Sequence, residues 1–503
     1  MSSPSKSILA IILLGIAIQL SAFYTIDPLG FPDTIRYFEF ADFLGQPRVT
    51  HDGDLGFNGG ILFTPLFLPS FLLFLKKLFG FPYLLSGAIL EFASFQAIIW
   101  LSYSVARRAD GATTARLALF LLLAHFAFCF GSALIATEYP FMAVLLCIIL
   151  YAAKTKEFNL KRSLILSFLL ALLVSIRAQG VLFSMIIILY LAYRRRMRLR
   201  QIFIAGLFTV MYILLYLCLY LYLDRKFPQT ITLNEAFSAN CFILKDAFAQ
   251  YDFSAHGLRA LTGGNNYFGF MASNPLAHVS HYYYPFCAVL LLSFFFSKIK
   301  ERSLLVSLIV FNFFATIIFP VPGESLVRYQ TGAFPLAMIL IASLFTHGRE
   351  NRFLRGDPKR FALSILFCSI LFYGAYFIMR NHYFFRAMGA WRYALPATPR
   401  SAAVDSARMI RDNIGSGRKV LAQDMRYYGI IYRSGNMPLY FYDGWEARAI
   451  IDYAETRGAH YAVGNDALVY GLKSRGIGAS IVCPLIKTMD ENEQLFLFKL
   501  RLK

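Results

Sequence analysis

Residues 33–44 read DTIRYFEFADFL and follow the first apolar stretch of the chain. Asp33, Tyr37 and Ala41 recur once per helical turn, and Leu44 continues the same face of a predicted short amphipathic helix. A carboxylate at the leading end of this helix, beside long apolar stretches, is costly unless it has a function. Asp33 is therefore the first candidate for a functional residue.

The composition predicts a polytopic membrane protein. Of the 503 residues, 58% are hydrophobic and 16% are charged, whereas ordinary globular chains are roughly 45–50% apolar. The apolar residues occur in blocks that are separated by short polar segments. The net charge of +20 does not indicate nucleic acid as a partner, because most Lys and Arg residues cluster in short loops. Such clusters are typical of charge that sets membrane topology.

Eleven apolar blocks are predicted to span the membrane, although several are shorter than the roughly 20 residues of a full crossing. The blocks are residues 8–23, 83–105, 117–136, 139–153, 163–176, 181–193, 202–223, 282–297, 303–319, 331–346 and 361–379. With this count all the basic loops face the cytoplasm, so the N-terminus is expected inside and the C-terminus outside. The first block is interpreted as a retained anchor, although a cleaved signal peptide is the alternative.

The long outer loop, residues 24–82, contains one further apolar block at residues 61–75, with Pro65 and Pro69 inside it. If this block crossed the membrane, every later basic loop would lie on the opposite side. We therefore interpret it as a membrane-surface or re-entrant segment.

The region after residue 380 alternates helix and strand patterns. Helices are predicted at residues 401–414 and 445–458, and strands at 419–424, 437–443, 460–466, 476–485 and 493–502. This alternation predicts a small extracytoplasmic α/β domain over residues 381–503. Residues 1–380 then form the transmembrane module.

A second candidate acid is Glu138 in the segment TEYP, residues 137–140, where Pro140 opens a short helix. One interpretation is an acid that the dipole of this helix stabilises. Because the helix is short, however, the turn is expected below the membrane surface, where it would line a cavity. Acids in that position usually have a function.

Two arginines, Arg177 and Arg328, are predicted at the outward ends of helices, where the positive-inside rule disfavours them. A guanidinium group can hold a phosphate group, and interfacial snorkelling is the alternative explanation. Lys77 is a weaker candidate for binding phosphate. The histidines and cysteines have no metal-ligand spacing, so the sequence indicates no metal site.

These residues resemble motifs of the GT-C glycosyltransferases, which are multi-spanning enzymes that use polyprenyl-phosphate sugars. The similar branch contains the protein O-mannosyltransferases and the bacterial aminoarabinose transferases acting on lipid A. The matching segments, in order, are residues 33–44, FTPLFLP at 63–69, TEYPF at 137–141, SIRAQGVLF at 175–183 and RYQTGAFPL at 328–336. In SIRAQG, Ala178 and Gln179 replace the proline and glutamate of the family element.

The resemblance implies roles for these residues. Asp33 would be the catalytic base, and Glu138 a supporting acid in the cavity. The donor phosphate would contact Arg177, Arg328, Tyr329 and Lys77, and the site would be supported by Tyr37 and Pro65. A divalent metal occurs in some relatives, so the resemblance leaves a metal cofactor open.

The implied reaction moves a hexose or pentose from a polyprenyl-phosphate donor to a hydroxyl group of a lipid, glycan or protein, with inversion at the anomeric carbon. The active site would lie on the periplasmic side of a bacterial inner membrane. Three alternatives stay open: a lipid-linked sugar flippase or transporter, an envelope polysaccharide ligase or polymerase, and a membrane-anchored binding protein. A transporter is expected to have inverted repeats, and none is evident in the sequence.

Overall fold

The structure is a computed structural model, and it describes residues 6–347 and 400–501. The first range has gaps at 26–27, 31, 46–64, 124–125, 178, 195–196, 227–282 and 319–332. The second has gaps at 424–426, 441–450, 452–453, 456–457, 466–467, 469–477 and 488–493.

The first range is helical. Its α-helices are α1 (Lys6–Thr25), α2 (Pro32–Gly45), α3 (Phe67–Phe79), α4 (Tyr83–Asp110), α5 (Ala112–Leu123), α6 (Phe126–Gly131), α7 (Glu138–Lys154), α8 (Leu160–Ile176), α9 (Gly180–Tyr193), α10 (Leu199–Lys226), α11 (Tyr283–Phe296), α12 (Arg302–Ile318) and α13 (Phe334–Thr346). Within the described residues, Tyr83–Asp110 and Leu199–Leu219 are long and apolar enough to cross a membrane. Helices lie at ten of the predicted spans, whereas span 361–379 lies outside the described residues. The number of crossings and the topology remain predictions.

The predicted span 117–136 is wrong as a single helix. Helix α5 ends at Leu123, the short helix α6 ends at Gly131, and residues 132–137 form a buried turn before α7. An apolar sequence favours a helix in a membrane because the helix satisfies its own backbone polar groups. Here a buried side chain, Glu91 on α4, accepts a hydrogen bond from the backbone N–H of Ala136 instead.

The described part of the apolar block 61–75 lies mostly in α3. This helix has 13 residues and is therefore about 20 Å long, which is shorter than a membrane crossing. Leu68 and Leu72 pack in a core that also contains residues of α2, while Phe74 and Leu78 are exposed. An amphipathic helix of this kind fits the prediction of a surface segment.

The helical bundle is organised around α4. Helices α5 and α7 pack against α4, α13 packs against α5, and α8 packs against α10. At the C-terminal end of α4, the last residue, Asp110, accepts a hydrogen bond from the Thr114 hydroxyl at 2.9 Å. The Asp110 carboxylate also contacts Nε2 of His347 at 2.5 Å, which ties the end of α4 to the end of α13.

The second range contains a five-stranded sheet with two described helices, α14 (Arg400–Ile414) and α15 (Tyr428–Arg433). The strands are β1 (Lys419–Ala422), β2 (Met437–Tyr440), β3 (Tyr461–Asn465), β4 (Gly478–Lys487) and β5 (Gln494–Arg501). Their order is β2-β1-β3-β5-β4, in which β1 is parallel to β2 and β3, and β5 is antiparallel to β3 and β4. A strand lies at each of the five predicted positions. Most of the predicted helix 445–458 and the boundary at residue 380 lie outside the described residues.

The sheet shares one hydrophobic core with helices α2 and α3. Val420 and Ala422 of β1 pack in the same cluster as Ile35 and Phe38 of α2, whereas Leu421 belongs to a cluster on the other face of the sheet. This split follows from the alternation of side chains along a strand. The α/β unit therefore lies at the same end of the bundle as α2.

Candidate active site

Helix α2 carries the first candidate residue. Asp33 lies in its first turn, and Tyr37 and Ala41 are buried as the helical spacing predicts. Phe38 and Phe40 of the same helix are also buried. Helix α2 is therefore enclosed by neighbouring elements, including α3 and α15, rather than resting on a surface by one face.

A hydrogen bond joins the start of α2 to the turn before α7. The buried hydroxyl of Thr34 donates to the backbone carbonyl of Ile135 at 3.0 Å. Gly87 of α4 makes room for this turn, because a Cβ atom at that position would lie 2.6 Å from the Ile135 side chain. The residue after Asp33 is thus in direct contact with the segment that leads into Glu138.

Glu138 and Arg177 form a buried ion pair. The distance from Arg177 Nη1 to Glu138 Oε1 is 2.8 Å, and the side chains are only 8% and 3% exposed, respectively. The sequence predicts separate roles for the two residues: catalysis for Glu138 and phosphate binding for Arg177. The structure brings them together at the end of the bundle where α7 begins and α8 ends.

The backbone of the SIRAQG turn fixes Arg177. Helix α8 ends at Ile176, and Arg177 has extended backbone angles (φ −152°, ψ 139°). Gly180 begins α9 so close to the preceding helix that a Cβ atom would lie 2.6 Å from the Leu173 carbonyl oxygen. A side chain at residue 180 would push the two helices apart and move Arg177 away from Glu138.

Sequence reasoning missed Glu91. This residue lies inside α4 and is completely buried. Its Oε1 atom accepts the Ala136 N–H at 2.9 Å, and Oε2 has no hydrogen-bond partner among the described residues. Glu138 is near enough to act on it electrostatically. The available signal was a lone acid within a predicted span, which usually marks a functional site.

We predict that Glu91 positions the turn that carries Glu138. Glu91→Leu would leave the buried Ala136 N–H without an acceptor, which costs about 1–3 kcal/mol. Glu91→Gln keeps an acceptor oxygen at the same place, so it should retain most of the thermal stability. Thermal unfolding of the two purified variants measures this difference. Equal melting temperatures for Leu and Gln would contradict the prediction.

Lys76, rather than the candidate Lys77, makes the described polar contacts at the end of α3. Its ammonium group lies 2.9 Å from Asp42 and 4.2 Å from the centre of the Tyr83 ring. The Tyr83 hydroxyl donates to the same carboxylate at 2.7 Å. Lys77 is exposed, and Pro65 lies partly buried just before α3.

Glu39 lies where α2 meets the α/β unit. It is partly buried, and burial raises its pKa from the ordinary value of 4.5 to about 7. The Asp42 charge acts in the same direction, whereas the Arg36 guanidinium opposes it. Across the interface, burial first and then the Asp42 and Glu39 charges raise the pKa of Tyr432 to about 12. The ring of Tyr432 lies 6.0 Å from that of Phe38.

We predict that Glu39 makes the stability of this interface depend on pH. Because its pKa is raised by folding, its stabilising contribution is complete below pH 4.5 and is lost as the pH rises through about 7. The unfolding free energy should therefore fall by about 1–2 kcal/mol between about pH 5.5 and about pH 8.5. Thermal unfolding of the wild type and of Glu39→Gln over this range tests it. The same pH dependence in both proteins would contradict the prediction.

The remaining candidates for phosphate binding lie in residues that the structure does not describe, and no metal-binding cluster is found among the residues that it does. Arg328 and Tyr329 fall within residues 319–332, which the structure does not describe. Among the residues that it does describe, His, Cys, Asp and Glu form no group of three or more that could hold a metal ion.

The described chain is thus a mainly helical bundle with an α/β unit, in which helix α2 is enclosed and an acid–arginine pair is buried at one end. The comparison with solved structures supports this at the level of fold. ArnT from Cupriavidus metallidurans bound to undecaprenyl phosphate is similar, with a TM-score of 0.55 and 12% identity over 98% of this chain and 97% of that chain. The apo state of the same protein is similar with a TM-score of 0.52 and 12% identity, over 97% of this chain and 98% of that chain.

The apo oligosaccharyltransferase from Archaeoglobus fulgidus is also similar, with a TM-score of 0.52 and 13% identity over 94% of this chain and 72% of that chain. The resemblance drawn from the sequence motifs is thereby confirmed for the fold. No family model matches the sequence, and no curated protein matches it either.

Proposed function

We propose that this protein is a membrane glycosyltransferase that moves a sugar from a polyprenyl-phosphate donor to a hydroxyl acceptor. The observation that carries this proposal is the hydrogen bond from Thr34 to Ile135. It connects the turn that holds Asp33 to the turn that leads into the buried pair of Glu138 and Arg177. The similar ArnT was solved with undecaprenyl phosphate, which is a polyprenyl phosphate. That ligand supports the same class of donor here.

In the proposed mechanism, Asp33 accepts the proton of the acceptor hydroxyl as general base. The acceptor oxygen attacks the anomeric carbon from the side opposite the phosphate, so the configuration inverts. The bond to the phosphate oxygen breaks, and the polyprenyl phosphate leaves as an anion. It needs no proton from a second acid, in contrast to inverting glycosidases, which require one.

Arg177 and Arg328 would stabilise the negative charge on the departing phosphate. Glu138 holds one nitrogen of the Arg177 guanidinium at 2.8 Å. Glu138 therefore orients this arginine and lowers the cost of burying its charge. We assign Tyr329 and Lys77 to the outer part of the phosphate site, and Tyr37 and Pro65 to its support.

We infer that the site lies on the extracytoplasmic side. Helix α4 begins near the candidate site and carries Arg107 and Arg108 in its last turn. The positive-inside rule places that basic end in the cytoplasm. The α/β unit shares a core with α2, so it would lie outside as well. The resemblance favours a bacterial inner membrane, with a lipid, glycan or protein as acceptor.

The proposal is tested with the purified protein in nanodiscs and a panel of undecaprenyl-phosphate hexoses and pentoses. We expect one donor to release free undecaprenyl phosphate when membrane extract supplies acceptors, as detected by mass spectrometry. Donor that crosses the bilayer of proteoliposomes without being cleaved would instead indicate a flippase. No cleavage of any donor in the panel would contradict the proposed donor class.

A further inference from the structure

A basic cavity of about 480 Å³ lies at the end of the bundle opposite the candidate site. We call it the basic pocket. Helix α9 begins beside Arg177 and runs to this end, where Arg194 follows it. The loop between α11 and α12 supplies the other cations, Lys298, Lys300 and Arg302. Topogenic charge explains why cations lie here, but it does not explain a cavity between them.

The pocket also contains a polar group that the fold leaves unused. Ser297 lines it and is only 1% exposed, and its hydroxyl has no hydrogen-bond partner among the described residues. A buried hydroxyl without a partner is unfavourable. Within a cavity lined by cations, an anionic acceptor is the ligand that would satisfy it.

The walls of the pocket are held in place. The Arg302 guanidinium donates to the backbone carbonyls of Phe295 at 2.7 Å and Ser297 at 3.1 Å, which fixes the loop between the two helices. Glu301 is the nearby acid, and the Tyr190 hydroxyl donates to it. The N-terminus of α12 opens at the same place, and its dipole favours an anion.

Apolar side chains continue from the pocket along the outside of the bundle. Phe295 is 70% exposed and Tyr193 is 82% exposed. We propose that the basic pocket binds the phosphate of an anionic phospholipid headgroup, with the acyl chains lying along these two rings. Basic pockets between membrane helices are suited to such headgroups.

The test uses the full-length protein in phosphatidylcholine nanodiscs with increasing phosphatidylglycerol, and native mass spectrometry to count bound phosphatidylglycerol. We expect Lys298→Gln with Lys300→Gln to weaken this binding about tenfold. The control is Lys154→Gln with Lys156→Gln, which removes the same charge from the same end of the bundle outside the pocket. It should change binding by less than about twofold.

Ser297→Ala is a second variant. It should weaken phosphatidylglycerol binding without lowering the melting temperature, because the hydroxyl makes no hydrogen bond to any residue that the structure describes. Equal losses in the two double-lysine variants would overturn the proposal in favour of diffuse surface charge. Binding of inorganic phosphate that is lost in the pocket variant, while phosphatidylglycerol binding is unchanged, would overturn the lipid as the source of the phosphate.

Discussion

Asp33→Asn should lower kcat/KM for sugar transfer by about 10²–10⁴-fold, because a general base contributes a factor of this size. The amide is close in size to the carboxylate but cannot accept the proton of the acceptor hydroxyl. The loss should appear in kcat, with KM for the donor little changed, since the base acts in the transition state. Release of undecaprenyl phosphate by the purified variant measures it.

The matched control is Asp42→Asn, the same substitution nine positions later on α2. Asp42 is exposed and contacts Lys76 and Tyr83, so its loss should affect stability slightly and transfer by less than about threefold. If Asp33→Asn retained more than about a tenth of the wild-type rate, Asp33 would not be the base. If both variants lost activity equally, the effect would come from disruption of α2.

The local parts of this site could be predicted from the sequence. The spacing of Tyr37 and Ala41 predicts a helix with Asp33 in its first turn, because helical periodicity is a property of a short segment. The strands of the α/β unit were predicted for the same reason. Each such prediction needs only neighbouring residues, and the structure has a helix and strands at these positions.

Contacts between distant segments could not be predicted in this way. The turn over residues 132–137 looks like part of an apolar span, but side chains of two other helices, Glu91 on α4 and Thr34 on α2, form hydrogen bonds with its backbone. The pairing of Glu138 with Arg177 depends on how α7 and α8 pack. Glu91 could have been selected as a candidate from its position in a span, but its partner could not.

Removing either member of the buried pair should be strongly destabilising. Glu138→Gln leaves the Arg177 charge buried, and Arg177→Gln leaves the Glu138 charge buried, at a cost of about 3–5 kcal/mol each. The double variant buries no charge at these positions, so it should recover most of the stability. Thermal unfolding of the three purified variants gives this comparison. As a control, Arg408→Gln breaks an exposed pair with Asp405 and should cost less than about 1 kcal/mol.

Transfer activity separates a structural role of this pair from a functional one. If Arg177 contacts the donor phosphate, the double variant regains stability but not transfer, since no guanidinium is left to stabilise the leaving group. Its KM for the donor should rise as well, because a phosphate contact also acts in the ground state. A double variant that regained both stability and transfer would show that the pair only supports the fold. In that case the phosphate would have to be held by other cations, of which Arg328 is the first to test.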